Sequence, residues 1–342
     1  MMASRVKEQI RSGYLESGKS YGYNDDHDPT KPAQLWFQQC DEGLLLFIVF
    51  YTQACRWSRC LGCSLPSKCS EKHISFLDIM AQIDYVFTEY PEVLKRRGDI
   101  KKIIISNNGS VLDEDTFSST ALMYLMSQVN VHFPNLHVLS LETRPEYVDD
   151  AELEFISRAL REGDTPTELE ITIGMEVFDD EVRNDIFRKG LNLDVLEEFV
   201  RRIAERNFSL KVYLMQKPVP GMTDQEAIDD IQDGIDYLAG LATKYNARIN
   251  VHINPTYVGR GTQLEKFFAD GDYEPPQLVD VARAARHAAG KGVSVYIGLS
   301  DEGLSVEGGS FIRETEGLIV DDLERFNTTQ NFSILDGIIS PE

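Results

Sequence analysis

Apolar runs alternate with amphipathic stretches through most of this chain, from residue 44 to residue 300. A short apolar run is typical of a buried strand, and apolar residues at helical spacing are typical of a helix packed on a core. Repeated strand-then-helix units form a parallel sheet with right-handed crossover connections. The predicted strands are residues 44–52, 102–106, 136–142, 168–176, 209–214, 248–254 and 293–299.

These units predict the fold class α/β, as a partial (β/α)6 to (β/α)7 TIM-like barrel of parallel strands with N- and C-terminal extensions. A doubly wound open sheet is the alternative fold. We predict an N-terminal extension at residues 1–43, a barrel domain at residues 44–300 and a C-terminal extension at residues 301–342. The first extension is expected to be irregular with short helical pieces, and the second is rich in turn-forming residues.

Three cysteines, Cys55, Cys60 and Cys63, follow the first predicted strand with the spacing C-x4-C-x2-C. They lie at the carboxyl end of that strand, where barrel active sites form. Three thiolates can hold three irons of a [4Fe–4S] cluster and leave the fourth iron open to a small molecule. A structural zinc site with Cys69 as the fourth ligand is the alternative. Four of the five cysteines lie within residues 55–69, which suits a metal site in a reducing cytoplasm better than a disulfide framework.

Polar residues also follow the second and third strands, at the same predicted end of the barrel. Asn107, Gly109 and Ser110 form a turn after the second strand, and a glycine there lets the backbone approach a ligand closely. Glu142 and Arg144 end the third strand. A carboxylate can accept from a ribose hydroxyl or an ammonium, and an arginine can bind a carboxylate. An Asn-Gly turn or a Glu–Arg pair can equally be a structural feature.

The next three strands add four more candidates. Glu176 ends the fourth strand, at a position that suits a ligand contact. Lys217, Asn254 and Arg260 follow the fifth and sixth strands and are predicted to contact the substrate. His252 alternates with apolar neighbours, which is typical of a satisfied core histidine, so we expect no site role for it.

Five segments in the same order resemble the radical SAM (S-adenosylmethionine) superfamily. The resemblance is to the branch of the Elongator catalytic subunit, and within it to the radical SAM subunit family of archaeosine synthase. It covers about residues 44–280. The segments are a Gly-Ser turn followed by Leu-Asp (109–113), Glu-x-Arg-Pro-Glu-Tyr (142–147), Gly-x-Glu with a later Lys-Gly (174–190), Tyr-Leu-x-x-Lys-Pro with a later Glu-Ala (213–227), and Asn-Pro-Thr with a later Gly-Thr and Pro-Pro (254–276).

This resemblance implies an enzyme with a [4Fe–4S] cluster and S-adenosylmethionine as cofactors. Cys55, Cys60 and Cys63 would ligate the cluster, and its open iron would bind SAM. One electron from a reductant such as ferredoxin or flavodoxin would cleave SAM to make a radical. The residues expected to hold SAM are Asn107, Gly109, Ser110, Glu142, Arg144 and Glu176.

The formal net charge of −22 at pH 7 bears on the substrate. Nucleic-acid binding depends mainly on lysine and arginine that neutralise phosphates, so an acidic chain is a poor unaided binder. We therefore expect a small-molecule substrate rather than nucleic acid; a tRNA-borne substrate would require a partner with a basic surface. No apolar stretch reaches the ~18 residues of a transmembrane helix, and the N-terminus does not resemble a signal peptide. We expect no membrane association and a cytoplasmic location.

Two other functions stay open. The commonest cysteine spacing in the superfamily is C-x3-C-x2-C, and the altered loop here is compatible with cleavage of a different C–S bond of SAM. That reaction would transfer a 3-amino-3-carboxypropyl group to a small-molecule acceptor. A metal-stabilised barrel without catalytic activity is the non-enzymatic alternative, since one fold hosts many functions.

Overall fold

The computed structural model describes residues 19–340, which fold around one eight-stranded sheet. The strands are β1 (Gln34–Cys40), β2 (Gly43–Val49), β3 (Ile100–Ser106), β4 (Val138–Thr143), β5 (Glu168–Glu176), β6 (Ser209–Gln216), β7 (Arg248–Pro255) and β8 (Ser294–Ile297). They lie side by side in sequence order. β1 and β2 are antiparallel, and every later neighbouring pair is parallel.

The seven parallel strands confirm the predicted partial barrel. The sheet curls strongly enough that Cys40 on β1, Leu45 on β2, Ile104 on β3 and Tyr296 on β8 pack together inside it. Strands β8 and β1 do not pair with each other within residues 19–340, so the barrel stays partial. This curling of the sheet, with its two edge strands brought together, excludes the open doubly wound alternative.

Strand β1 lies where the sequence predicts irregular structure. It pairs with β2 from Gln34 opposite Val49 to Cys40 opposite Gly43. Gly43 has φ +120°, which only glycine adopts readily, and this closes the tight hairpin turn. The strand reads QLWFQQC, and its apolar run is only three residues long, so its structure depends on pairing with the apolar β2. The part of the predicted N-terminal extension before residue 19 lies outside the described residues.

Helices follow most strands and cover the outside of the sheet. Thr223 and Glu226 form the predicted capping box at the start of the longest helix. No helix within residues 19–340 is both long enough and apolar enough to cross a membrane. The α-helices are α1 (Phe76–Asp84), α2 (Pro91–Arg96), α3 (Ser119–His132), α4 (Asp150–Leu160), α5 (Leu193–Glu205), α6 (Asp224–Tyr245), α7 (Gln263–Ala269), α8 (Leu278–Arg286), α9 (Gly317–Thr329) and α10 (Phe332–Ile339).

The strand residues that face the helices are apolar, and many of those inside the barrel are polar. Successive side chains of a strand point to opposite faces. Along β3, Ile103 and Ile105 belong to the large apolar core between sheet and helices. Lys102 and Ser106, on the alternate positions, point into the barrel and are also buried. Helix packing thus holds the barrel together from outside and leaves its interior free for polar chemistry.

Ion pairs and hydrogen bonds close the barrel at the amino ends of the strands. Lys102 Nζ donates to Glu42 Oε1 at 2.6 Å and to Glu170 Oε2 at 3.0 Å. Nearby, Lys211 Nζ donates to Asn250 Oδ1 at 2.8 Å. The opposite end of the barrel, at the carboxyl ends of the strands, contains the cavity described next.

Candidate active site

A cavity of about 260 Å³ lies at the carboxyl ends of the strands. Barrel active sites form at this end because the loops that follow the strands converge there. Eight of the twelve residues predicted from the sequence to act in a site line the cavity. They are Cys55, Cys60, Cys63, Gly109, Glu142, Arg144, Glu176 and Asn254.

The other four predicted residues lie outside the cavity wall. Asn107 and Ser110 are buried within the turn after β3, where Asn107 Nδ2 donates to the Ser110 carbonyl at 3.4 Å. Lys217 Nζ pairs with Asp224 Oδ1 at 2.7 Å, at the start of α6. Arg260 is exposed to solvent. The structure therefore does not bring the Lys217 and Arg260 charges to the cavity.

The cysteine loop leaves β2 and ends in the 3-10 turn Leu65–Lys68. Ser58 has φ +42°, and its Oγ donates to the Cys55 carbonyl at 2.5 Å. The Cys63 backbone N–H donates to the Cys60 carbonyl at 3.3 Å, which closes a second turn. The left-handed residue Ser58 thus accommodates the four-residue spacing, and all three thiols stay on the cavity wall.

The cysteine sulfurs are spread apart rather than gathered on one point. Among the described residues, no three of the four cysteines between residues 55 and 69 have sulfurs that all lie within 4.8 Å of one another. A tetrahedral zinc ion with Zn–S bonds of about 2.3 Å requires sulfurs only ~3.8 Å apart. Cys69 is 1% exposed, and its thiol donates to the Leu65 carbonyl at 3.7 Å. The sulfurs are therefore not arranged as a preformed tetrahedral zinc site, and three thiols on one cavity wall are the ligand type of an iron–sulfur cluster.

Protonation of the thiols couples metal binding to pH. Burial raises the pKa of the Cys63 thiol to about 12, and the nearby Cys60 and Cys55 add to the rise. Burial also raises the pKa of Cys60, against the lowering effect of the Lys189 ammonium. Metal ligands are thiolates, so loading these cysteines releases protons and becomes more favourable as pH rises.

The turn after β3 packs directly against Cys55. A methyl group at Gly109 would lie 3.2 Å from Cα and 3.3 Å from Cβ of Cys55. Glycine therefore allows the two backbones to approach this closely. Asn107 Nδ2 also donates to Thr116 Oγ1 at 3.3 Å, which holds the turn in shape. Its neighbour Asn108, with φ +56°, is the residue of this turn that lines the cavity beside Gly109.

Arg144 and Trp57 fix the segment at residues 188–190 against the cysteine loop. The Arg144 guanidinium lies 4.5 Å from the ring centre of Trp57, and its Nη2 donates to the Lys189 carbonyl at 3.0 Å. Trp57 Nε1 donates to the carbonyl of residue 188 at 2.8 Å. A side chain at Gly190 would overlap the Trp57 ring, so glycine is required there. The wall between Cys55 and Cys60 is therefore rigid.

Glu176 and Lys189 form an ion pair on the cavity wall, with Oε1 and Nζ 2.9 Å apart. Glu176 has φ +69°, and the pairing of β5 with β6 shifts register between Gly174 and Glu176. A side chain at Gly174 would overlap both members of the pair. Burial lowers the pKa of Lys189, but the charges of Glu176 and Cys60 outweigh it and raise that pKa above its ordinary value. Lys189 is therefore charged at neutral pH.

Glu142 and Tyr213 face each other inside the barrel, and the Tyr213 hydroxyl donates to the Glu142 carboxylate. Burial raises the pKa of Glu142, although hydrogen bonds from Ser106 and Tyr213 act in the opposite direction. The Tyr213 and His252 rings meet edge to face, with centres 4.7 Å apart. His252 lines the cavity, and its Nδ1 has no hydrogen-bond partner in the described part of the chain. Burial lowers the pKa of His252 well below its usual value, so it is neutral.

Several residues that line the cavity are not among the site residues predicted from the sequence. His252 and Tyr213 occupy inward positions of β7 and β6 and pair in register, so the two-residue alternation of each strand could have found them. Lys189, followed by Gly190, matches the pattern of a helix C-terminus. Glu302 lies in the predicted C-terminal extension, where the sequence shows no clear strand or helix pattern. Trp36 lies on β1, which the sequence does not reveal as a strand. The Lys-Gly of the segment 174–190 could have drawn Lys189 into the site, whereas for Trp36 and Glu302 the sequence holds no local signal.

Comparison with known proteins places this chain among related sequences and folds. It is 27% identical over 319 residues to an uncharacterized protein of Methanocaldococcus jannaschii, with 90% of this chain and 84% of that protein covered. It is 25% identical over 293 residues to archaeosine synthase subunit beta of Methanosarcina acetivorans, with 84% of this chain and 79% of that subunit covered. No family model matches the sequence.

A solved structure of Elp3 from Methanocaldococcus infernus, lacking its first 46 residues, has the same fold. The TM-score is 0.51 at 16% identity, and the match covers 73% of this chain and 58% of that chain. The resemblance predicted from the five motif segments is confirmed by these relatives and this fold.

Proposed function

We propose that this radical SAM enzyme binds a [4Fe–4S] cluster on Cys55, Cys60 and Cys63 and uses it to cleave S-adenosylmethionine reductively. The observation that carries the proposal is the placement of these three thiols on the wall of one cavity in a partial barrel. Bound there, the cluster supplies the open iron for SAM and the electron that breaks a C–S bond. The electron would come from a reductant such as ferredoxin or flavodoxin.

The residues of the cavity fit a cofactor with amino, carboxylate and ribose groups. The Glu142 carboxylate and the Glu176–Lys189 pair offer both signs of charge within one wall. Gly109 allows the backbone to approach the ligand closely. Arg144 provides a guanidinium that is held in place by the Trp57 ring and by its hydrogen bond to the Lys189 carbonyl. We assign these five residues to SAM binding, with Asn107 and Ser110 holding the turn around Gly109 rather than touching the cofactor.

The substrate is proposed to be a small molecule that binds in the cavity beside SAM. Asn254 is retained as a substrate contact because it lines the cavity, whereas Lys217 and Arg260 do not. The net charge of −22 disfavours unaided binding to nucleic acid. The relative named archaeosine synthase subunit beta keeps a tRNA-borne substrate open, with a partner to supply the basic surface. The enzyme is proposed to work in the cytoplasm.

The test is anaerobic reconstitution with iron and sulfide, followed by SAM and dithionite, with the nucleoside product identified by mass spectrometry. We expect about four irons per chain and 5′-deoxyadenosine. Alanine at Cys55, Cys60 or Cys63 should abolish the product. Cys40→Ala is the matched control, because Cys40 is buried on β1 inside the barrel, outside the cavity wall, and should retain both iron and product.

Other outcomes separate the alternatives. Methylthioadenosine in place of 5′-deoxyadenosine would indicate transfer of the 3-amino-3-carboxypropyl group. Bound zinc that is lost in Cys69→Ala, together with no SAM cleavage, would establish the structural metal site and contradict the proposal.

A further inference from the structure

We propose that one part of the cavity wall is a subsite for a protonated nitrogen group of the substrate, with the Glu302 carboxylate as its counter-ion. This inference rests on the proposed function, because it assigns a substrate class to the same cavity. The subsite is formed by β1, β2, β7, β8 and the loop after β8. Its lining residues are Trp36, Phe47, His252, Tyr296 and Glu302.

Glu302 is held in an unusual backbone conformation. Its φ is +55°, in the left-handed region that non-glycine residues seldom adopt. Gln34 Nε2, on β1, donates to the Glu302 carbonyl at 3.2 Å, and the Glu302 N–H donates to Ser300 Oγ at 3.1 Å. Such a conformation persists where the surroundings impose it, and it is found preferentially at functional sites.

The loop that contains Glu302 is joined to the loop after β7 by backbone hydrogen bonds. Val258 N–H donates to the Gly309 carbonyl at 2.8 Å, and Val306 N–H donates to the Val258 carbonyl at 2.9 Å. Arg260 N–H donates to the Leu304 carbonyl at 3.1 Å. The carboxylate is therefore presented from a fixed loop, which reduces the entropy lost when a ligand binds to it.

The charge around Glu302 is uncompensated. Its strongest charged neighbour is the Glu142 carboxylate, followed by Asp301; the only opposite charge that acts on it within the described residues, Lys68, has the smallest effect. Burial, and then the repulsion from Glu142, raise the pKa of Glu302 to about 7. A ligand that brings a positive charge would relieve this repulsion, and an anionic ligand would increase it.

The aromatic residues that line the same cavity as Glu302 suit a flat cation. The Trp36 and Phe47 rings stack in parallel, with centres 4.4 Å apart, and the His252 and Tyr296 ring centres are 4.8 Å apart. Aromatic faces attract cations, and the neutral His252 does not repel them. His252 Nδ1 is buried without a partner among residues 19–340, so in the neutral ring it can accept a hydrogen bond from a cationic N–H group of the ligand. An amine or amidine on an unsaturated skeleton matches this set of groups.

The probe is benzamidine, a flat cation, compared with the neutral isostere benzamide. Both are titrated calorimetrically into the full-length, cluster-reconstituted protein with saturating SAM. We expect benzamidine to bind about tenfold or more tightly than benzamide, as for a hydrogen bond to a charged group. Equal affinities, or no saturable binding of benzamidine, would overturn the proposal.

Glu302→Gln is the decisive variant, because it keeps the shape of the side chain and removes its charge. It should weaken benzamidine binding about tenfold and leave benzamide binding unchanged. Glu307→Gln, at an exposed position in the same loop, is the matched control and should change neither affinity. An unchanged preference for benzamidine in Glu302→Gln would also overturn the proposal.

The pH dependence of wild-type binding gives a test that needs no variant. Benzamidine affinity should rise as pH increases through about 7, because Glu302 loses its proton there. Benzamide affinity should stay flat, and a flat benzamidine profile contradicts the subsite. The titratable groups facing Glu302 are Lys68, Glu142, Tyr213, His252, Tyr257 and Asp301.

Failure of the subsite and failure of the proposed function give different results. Iron content and SAM cleavage are measured on the same preparation. If SAM is cleaved but benzamidine is not preferred, only the proposed subsite is contradicted. If benzamidine is preferred through Glu302 but SAM is not cleaved, the proposed reaction is contradicted and the proposed subsite stands.

Discussion

Unusual backbone conformations concentrate on the cavity wall. Ser58, Asn108, Glu176 and Glu302 all have left-handed φ angles, and all four line the cavity. A non-glycine residue in this region costs roughly 1–2 kcal/mol, so its neighbours must hold it there. These four positions turn the backbone sharply where strands or cysteine turns end. Four of the nine left-handed non-glycine residues within residues 19–340 thus lie where a ligand would bind.

The close approach of Gly109 to Cys55 predicts the effect of a single methyl group. In Gly109→Ala, the new Cβ would lie 3.2 Å from Cys55 Cα, so the cysteine backbone must move by a few tenths of an ångström. We expect a loss of about 1–3 kcal/mol in the free energy of unfolding, as for overpacked sites. Reconstituted protein should also contain less iron than the wild type.

Gly98→Ala is the control, because no heavy atom lies within 4 Å of the position of its added Cβ. Urea unfolding and iron analysis of both variants check the prediction. Equal iron content and equal stability in the two variants would show that the turn does not constrain Cys55.

At the scale of elements, helix α9 completes the free edge of β8. Asn327 Oδ1 accepts from the Ile297 N–H and its Nδ2 donates to the Ile297 carbonyl, both at 2.8 Å. Gln330 makes the same pair of bonds with Val295, at 3.0 and 2.7 Å. Two side-chain amides therefore substitute for a ninth strand. Capping the edge in this way leaves no open ladder for another chain to join.

Asn327→Leu tests this edge cap, because leucine has a similar size and cannot make either hydrogen bond. The Ile297 N–H and carbonyl would be left buried without partners, and each unsatisfied group would lower the free energy of unfolding by about 1–3 kcal/mol. We expect a total loss of about 2–5 kcal/mol in urea unfolding. Thr328→Ala, exposed on the same helix, should change stability by less than about 0.5 kcal/mol. Similar values for both variants would rule out a stabilising role for the amide.

At the scale of the whole molecule, the two ends of the barrel have different electrostatics. The amino ends of the strands are closed by the Lys102 ammonium between Glu42 and Glu170. Burial lowers the pKa of Lys102, but the two carboxylates outweigh it and raise that pKa above its ordinary value. Burial raises the pKa of Glu42, but the Lys102 charge and the hydrogen bonds from Asp41, Lys102 and Cys40 together outweigh burial and lower that pKa. The charges stay paired from mildly acidic to mildly alkaline pH, and the stabilisation is lost at either extreme.

Lys102→Met should leave the buried Glu170 carboxylate and the half-buried Glu42 carboxylate without their shared cation. We expect a loss of about 3–5 kcal/mol in the free energy of unfolding at neutral pH, as when one partner of a buried pair is removed. The variant should regain stability as pH falls toward about 5, because one orphaned carboxylate takes up a proton in the folded state. The wild type should not show this gain.

Lys244→Met is the matched control, since Lys244 pairs with Glu197 on the surface at 2.7 Å. An exposed pair contributes about 1 kcal/mol or less, so this variant should stay close to the wild type at every pH. Urea unfolding across the pH range checks both variants. A Lys102→Met profile parallel to that of Lys244→Met would contradict a role for Lys102 in closing the barrel.

The sequence by itself determined the seven parallel strands and placed three cysteines on the loop after the first of them. Apolar runs predicted all seven parallel strands, because a strand buried on its helix-facing side must be apolar there whatever surrounds it. The cysteine spacing predicted a metal-binding loop, since few other roles require three thiols so close together. The position of Glu142, Arg144 and Glu176 at the C-terminal ends of strands predicted their place at the cavity.

The tertiary structure alone decided which charges face the cavity. Lys217 and Arg260 follow strands just as Glu176 does, yet one pairs with Asp224 and the other lies in solvent. The local sequence cannot distinguish these outcomes, because they depend on where the loop after each strand turns. Trp36 and Glu302 lie far apart in the sequence and outside the apolar pattern. They line one cavity because the curled sheet brings β1, at one edge, close to β8 and the loop after it at the other edge.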